Sequence, residues 1–205
     1  MFKTIKNDCV ADFTEKKSQF ISYAFHVTSP EEASEALKKI REKHWDARHH
    51  VYAYVLRNNQ IQRYSDDGEP HGTAGTHVLN ILLKSQLYDI IVIVVRYFGG
   101  ILLGTGGLVR AYTKSCQLAV DNADIISIYP CQKILITFNY SLYKSIQTLI
   151  SKYHHRILNQ SYDSDISLEI AIHEASFDNF VENLLEISCG QVKIDKLDIV
   201  ETSLS

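Results

Sequence analysis

The run "YDIIVIVVRYFGGILLGTGGLVRAY" (Tyr88–Tyr112) constrains this chain more than any other stretch. Ile90–Val95 is unbroken, apolar and largely β-branched, which marks a strand buried on both faces rather than on one. Five glycines then fall between Gly99 and Gly107, of nine in the whole chain. "GLVRAYTKSCQLAVDNA" follows with Leu108, Ala111, Tyr112, Ser115, Cys116 and Ala119 along one helical face. The expected unit is a buried strand, a tight corner and a packed helix. The spacing puts the helix start at Gly106 or Gly107, with Thr105 as N-cap.

The surrounding pattern is of the same mixed kind. "QFISYAFHV" (Gln19–Val27) reads as a strand. Ser29-Pro30-Glu31-Glu32 opens a helix: Ser29 is the N-cap, Pro30 suits the first helical position and Glu32 completes a capping box. "HVYAYVL" and "IQRYS" flank Asn58-Asn59 as a hairpin. "DDGEPHG" is turn chemistry, and "AGTHVLNILLKS" has helical spacing. Near Pro130 the pattern restarts as β-α-β-β-α-β, the ferredoxin-like order. The chain is therefore expected to be α+β, with one domain over residues 1–129 and a second over 130–205.

Charge divides at the same place. Residues 1–130 hold 15 Lys and Arg against 14 Asp and Glu, and residues 131–205 hold 6 against 10, so the parts stand near +1 and −4. Six of the nine histidines are in the first part. Any grip on nucleic acid must come from a local patch, and the second domain is poorly suited to hold RNA broadly. The four cysteines form no CxxC pair, which fits reduced thiols in a cytoplasmic protein. "MFKTIKNDCV" lacks the apolar core of a secretory signal, and no apolar stretch approaches the about 20 residues of a membrane helix. A cytoplasmic protein without a membrane partner is expected.

Two readings of the glycine corner stand side by side. A helix start offers unpaired N–H groups and partial positive charge, glycines let an anion approach the backbone, and Arg96 and Arg110 flank the segment. A small phosphate or carboxylate site would look like this, and so would a sharp packing corner. The known phosphate motifs do not fit: Thr105 stands where a P-loop lysine belongs, and Val109 takes the last glycine of a dinucleotide fingerprint. Asp66, Asp67 and Glu69 crowd three carboxylates into one turn, better explained by turn chemistry than by a metal. His49 and His50 would point to opposite faces of a strand, and no zinc ligand set is visible. No metal and no cofactor are expected.

"RYSDDGEPHGTAG" (Arg63–Gly75) followed by "VVRYFGGILLGTGGLVRAY" resembles the hallmark segments of the IMPACT/YigZ family, and "HWDARHHVYAYV" is similar to a third. The match is to the bacterial branch. It implies a first domain like the second domain of small-subunit ribosomal protein five, and a ferredoxin-like second domain resembling the last domain of elongation factor G. In the eukaryotic branch the family restrains a translation-stress kinase by competing for its ribosome-associated activator. Against the family pattern, His71 replaces a small serine, His77 stands where proline is common, and Leu102 takes a position often held by lysine.

The resulting expectation is a translation-associated binding or regulatory protein, non-catalytic, whose partner is RNA, the ribosome or a translation factor. Its anion site would comprise Arg96, Gly99, Gly100, Gly104, Thr105, Gly106, Gly107 and Arg110, with Asp66, Asp67, Glu69, Gly72 and Thr73 beside them. Of the two arginines, Arg96 would be held by a carboxylate, and Arg110 would be free to meet the ligand. The alternative is a small-molecule enzyme acting on a phosphorylated or carboxylated substrate.

Overall fold

A computed structural model describes residues 1–204, the side chain of Asn59 excepted. Contacts divide the chain into one unit from Phe2 to Ile126 and another from Ser127 onward, together with Met1.

The first unit is built on the five-stranded order β2-β3-β6-β4-β5: β2 (Cys9–Glu15), β3 (Ser18–His26), β4 (His49–Leu56), β5 (Ile61–Ser65) and β6 (Ile90–Tyr97). Every neighbouring pair is antiparallel. Helix α1 (Pro30–Lys43) packs on one face, and α2 (Gly75–Lys84) and α3 (Thr105–Asp121) on the other. Central β6 is therefore covered twice, which is why it reads as an unbroken apolar run. Its Ile90, Val92 and Val94 join the α2/α3 core, and Ile91, Ile93 and Val95 the α1 core. Strand β1 (Phe2–Ile5) pairs with β7 (Ile125–Phe138), whose first two residues belong to this unit. Short β1 and half-exposed β2 were not foreseen, because few of their side chains are buried.

Two starts differ from the sequence expectation. The carboxylate of Glu32 does reach back at α1, but to the N–H of Thr28 at 2.6 Å, one residue before the Ser29 cap that accepts from the Glu32 N–H at 3.2 Å. Helix α3 begins at Thr105, and its N-cap is Gly104 at φ +70, with no side-chain cap. Thr105 is thus the first helical residue. The left-handed conformation at position 104 suits glycine and is strained for threonine.

The second unit runs β7, α4 (Tyr143–Ile150), β8 (His155–Tyr162), β9 (Ile166–His173), α5 (Phe177–Ile187) and β10 (Lys193–Thr202), with β10-β7-β9-β8 side by side and antiparallel. This is the ferredoxin-like fold. Ile134, Ile136, Phe138, Ile170 and Ile172 pack with Ile146, Phe180 and Leu184 of the helices. β7 passes through Pro130 without a break. That residue lies opposite Glu201 of β10 and beyond the last pair with β9, so no bond to β9 is asked of it. No described helix is long and apolar enough to cross a membrane.

Candidate functional site

Strand alternation places the polar groups. On the α2/α3 face, Phe20 of β3, Arg96 of β6 and His49 of β4 form one cross-strand row. Arg96 is 5% exposed, ends an otherwise apolar strand, and lies 5.6 Å from the ring centres of both Phe20 and Phe98. A buried guanidinium needs a charge partner. Glu69, 8% exposed, supplies it: Arg96 Nη1 donates to Glu69 Oε1 at 2.6 Å. The hydroxyl of Tyr112, reaching across from α3, donates to the same oxygen at 2.7 Å. Burial, and next Glu69, push the Tyr112 hydroxyl well above its ordinary range, so it remains a donor.

The turn after β5 aims these groups. Asp66 grips the start of α2: Oδ1 accepts the N–H groups of Ala74 and Gly75 at 3.1 and 2.8 Å, and Oδ2 that of Gly72 at 2.8 Å. Burial works against this carboxylate's charge, but the three amide donors outweigh it and hold its pKa below the ordinary range. Asp67 turns the other way. It accepts from Arg41 at 2.7 Å and from the His50 N–H at 2.6 Å. Its backbone carbonyl accepts from His49 Nδ1 at 2.9 Å. A carbonyl only accepts, so in neutral His49 the proton is on Nδ1 and the lone pair on Nε2, 3.9 Å from Glu69 Oε1.

Beside this cluster is a cavity of about 400 Å³. Its polar wall is Arg96, Glu69, His49 and Thr105, its apolar wall Phe98, Leu102, Leu103 and Leu108, and Arg48, Pro70 and Gly104 complete it. The uncapped start of α3 is part of the lining. Arg96 Nε is buried without any hydrogen-bond partner, and it is the sole such side-chain atom among the described residues. The glycine corner is also a packing device. A Cβ on Gly99 would come within 2.0 Å of the Lys17 carbonyl carbon, and the Gly99 N–H donates to Ser18 Oγ at 3.1 Å. The packing reading of the corner thus applies at Gly99.

Of the residues singled out from sequence, Arg96, Glu69, Gly104 and Thr105 line one cavity. Asp66, Gly72 and Thr73 shape the turn, the last by donating to the Pro70 carbonyl at 2.6 Å. Asp67 serves Arg41 rather than Arg96. A Cβ on Gly107 would stand 3.0 Å from Leu103, and Gly100, Gly106 and Gly107 are not among the residues that line the cavity. Arg110 lines a separate groove with Val109, Thr113 and Lys114, while its Nη1 stands 3.8 Å from where a Cβ on Gly106 would lie, over the first turn of α3. His49 and the apolar wall line the cavity without having been expected there, and Tyr112 touches the site only through Glu69. Only strand register puts His49 opposite Arg96. Among the described residues no group of three or more His, Cys, Asp or Glu could hold a metal ion.

The other face of the same strands carries a second network. Tyr97 donates to Asp46 at 3.0 Å, so His44 Nδ1 donates to the Tyr97 oxygen at 2.8 Å, and His44 Nε2 accepts from Tyr23 at 2.7 Å. Burial, aided by Lys43 and His50, lowers the His44 pKa and keeps this relay in its neutral form.

An antiparallel sheet between helices, joined to a ferredoxin-like unit and holding a cavity at a glycine corner, defines a two-domain α+β class with a receptive strand end. The comparisons make the class specific. Residues 16–120 match the Impact N-terminal domain, and 136–191 a domain of unknown function (DUF1949). The chain is 40% identical over 189 residues to an IMPACT family member of Haemophilus influenzae, covering 91% of this chain and 92% of that one. It is 35% identical to the IMPACT family member YigZ of Escherichia coli, covering 87% and 89%. A crystal structure described as that of a hypothetical protein has 32% identity and a TM-score of 0.60, covering 96% and 97%. The chain belongs to the IMPACT family.

Proposed function

We propose that this chain is a translation-associated regulatory protein that binds rather than transforms its ligand, and that it takes an anionic group in the Arg96 cavity. The unpartnered Nε–H of buried Arg96 carries this reading. A buried donor without a partner costs about 1–3 kcal/mol, and a carboxylate or phosphate entering the cavity removes that cost. The uncapped start of α3 lines the same cavity and favours negative charge. The link to translation rests on family membership, and the partners it implies are RNA, the ribosome or a translation factor. The test is affinity for ribosomal RNA fragments and for inorganic phosphate across a salt series, with wild type and Arg48→Glu. Salt-sensitive binding lost in Arg48→Glu supports the reading, and salt-independent or absent binding removes it.

One observation favours a second reading, an enzyme acting on a phosphorylated or carboxylated small molecule. His49 lines the cavity with Nδ1 committed to the Asp67 carbonyl, which leaves Nε2 as the nitrogen with the lone pair a general base needs. Turnover of a metabolite that also raises the melting temperature would establish it.

A further inference from the structure

The two faces of the first unit differ in charge. Helix α1, on one face of the sheet, carries Glu31, Glu32, Glu35 and Glu42 against Lys38, Lys39, Arg41 and Lys43. Its cations are largely spent: Lys38 pairs with Glu42 at 4.0 Å, Lys39 with Glu35 at 2.9 Å and Arg41 with Asp67 at 2.7 Å. Helices α2 and α3 cover the other face with Lys84, Arg110 and Lys114 against a single acid, Asp121, at the last position of α3. That carboxylate accepts from Gln117 at 2.7 Å. In the turn before α2, Asp66 is occupied by three amides, and Glu69 by Arg96 and Tyr112. Arg110 and Lys114 make no ion pair among the described residues.

These two cations share one groove of about 360 Å³ with Val109, Thr113, Gln117 and Leu118. All six residues are on α3, so the groove runs along the helix surface. Arg110 and Lys114 are four residues apart, about 5–6 Å between Cβ atoms, and share one side of the helix. Each head is braced. Arg110 Nη1 stands 3.8 Å from where a Cβ on Gly106 would lie, and Lys114 Nζ is 4.7 Å from the centre of the Phe13 ring.

The lining suits a nucleic acid better than a protein. It offers two cations, a threonine hydroxyl and a glutamine amide, and no aromatic residue. Protein interfaces draw their energy from aromatic and apolar anchors. Single-stranded RNA needs aromatic platforms for its bases. Duplex RNA is held through phosphates and 2′-hydroxyls, which cations and small polar side chains meet without reading sequence.

We propose that the α3 face binds the backbone of duplex RNA through Arg110 and Lys114. This rests on the translation-associated reading and names a partner within it, at a surface that shares no lining residue with the Arg96 cavity.

The experiment is fluorescence anisotropy on the full chain with a labelled RNA duplex of about 16 base pairs across a salt series. The expected result is binding that weakens with salt, with Arg110→Glu and Lys114→Glu each at least about tenfold weaker and each lowering the salt slope by about 1. Both residues are exposed, and circular dichroism checks that the variants fold. Lys39→Glu, the same charge change on α1, should leave affinity within about twofold. An equal loss in Lys39→Glu, tighter binding of the separated single strand, or no duplex binding overturns the inference. Polyglutamate competing as strongly as duplex RNA overturns it too and makes the face a site for an acidic protein. A loss confined to Arg48→Glu overturns the α3 face and keeps the cavity reading. Loss in Arg110→Glu and Lys114→Glu, with Arg48→Glu unaffected and no phosphate bound, sustains the face and removes the cavity reading.

Discussion

On the α1 side of β6, Tyr97 donates to Asp46 and accepts from His44, which in turn accepts from Tyr23. One residue earlier in the same strand and on the opposite side, Arg96 is held by Glu69 through Nη1, and its Nε is buried without a partner. Both networks mix aromatic and ionisable groups and both draw on β3 and β6, though the His44 relay reaches the surface at Asp46. They differ in completeness. The His44 relay needs nothing more from outside and reads as a lock between α1 and the sheet. The Arg96 cluster stays short of one donor's partner and opens on a cavity. Among the described residues, the Arg96 cluster alone combines an unfilled buried hydrogen-bonding requirement with a cavity beside it.

The comparison breaks most readily at Glu69. Glu69→Ala leaves Arg96 charged, buried and alone, and should cost about 3–5 kcal/mol in a urea titration. If the loss is below about 1 kcal/mol, the ion pair is not the anchor described here. Gly99→Ala drives a Cβ into the Lys17 backbone, and about 1–3 kcal/mol or more should be lost without any change to the cavity's polar groups. His44→Phe strips the buried Tyr23 hydroxyl of its acceptor and should also cost about 1–3 kcal/mol. Anion affinity should not change, and a parallel loss of affinity would merge the two networks into one. Acid gives a smaller effect of known sign. Burial foremost lowers the pKa of both His44 and His50, so the unfolded chain binds more protons below their ordinary range. That contribution is present above this range and lost as pH falls through it. The urea midpoint should be lower at pH 5.5 than at 7.5, and less so in His44→Phe. The smallest effect is expected at Arg110→Ala: a stability change within about 0.5 kcal/mol and unaltered cavity binding.

Much of this was legible before any coordinates. The unbroken Ile90–Val95 run implied double coverage, the Ser29–Glu32 signature opened a helix, and the β-α-β-β-α-β order defined the second fold. Composition and turn chemistry also drew attention to Glu69 and to the glycine corner. What the chain's order hid was register. His49 and Arg96 are 47 positions apart and become neighbours only once β4 and β6 pair. The three carboxylates of the turn look equivalent in sequence, yet backbone rotation through Asp67 at φ +44 and Gly68 at φ +85 sends each to a different helix or strand. Arg110 lines a different groove from the Arg96 cavity, although its guanidinium lies back over Gly106.

That turn has a consequence for how the molecule assembles. Asp66 holds α2, Asp67 ties Arg41 of α1, and Glu69 ties Arg96 of β6 and Tyr112 of α3, across sequence separations of 26, 27 and 43 residues for the last three partners. None of those bonds can close until the elements bearing them are already in place. The turn is therefore a late latch in folding: weakening it at Glu69 should speed unfolding and leave the refolding rate nearly untouched. The kinetic lifetime of the whole first unit then hangs on the same carboxylate that faces the cavity, and a ligand seated there would lengthen that lifetime by slowing the latch's release.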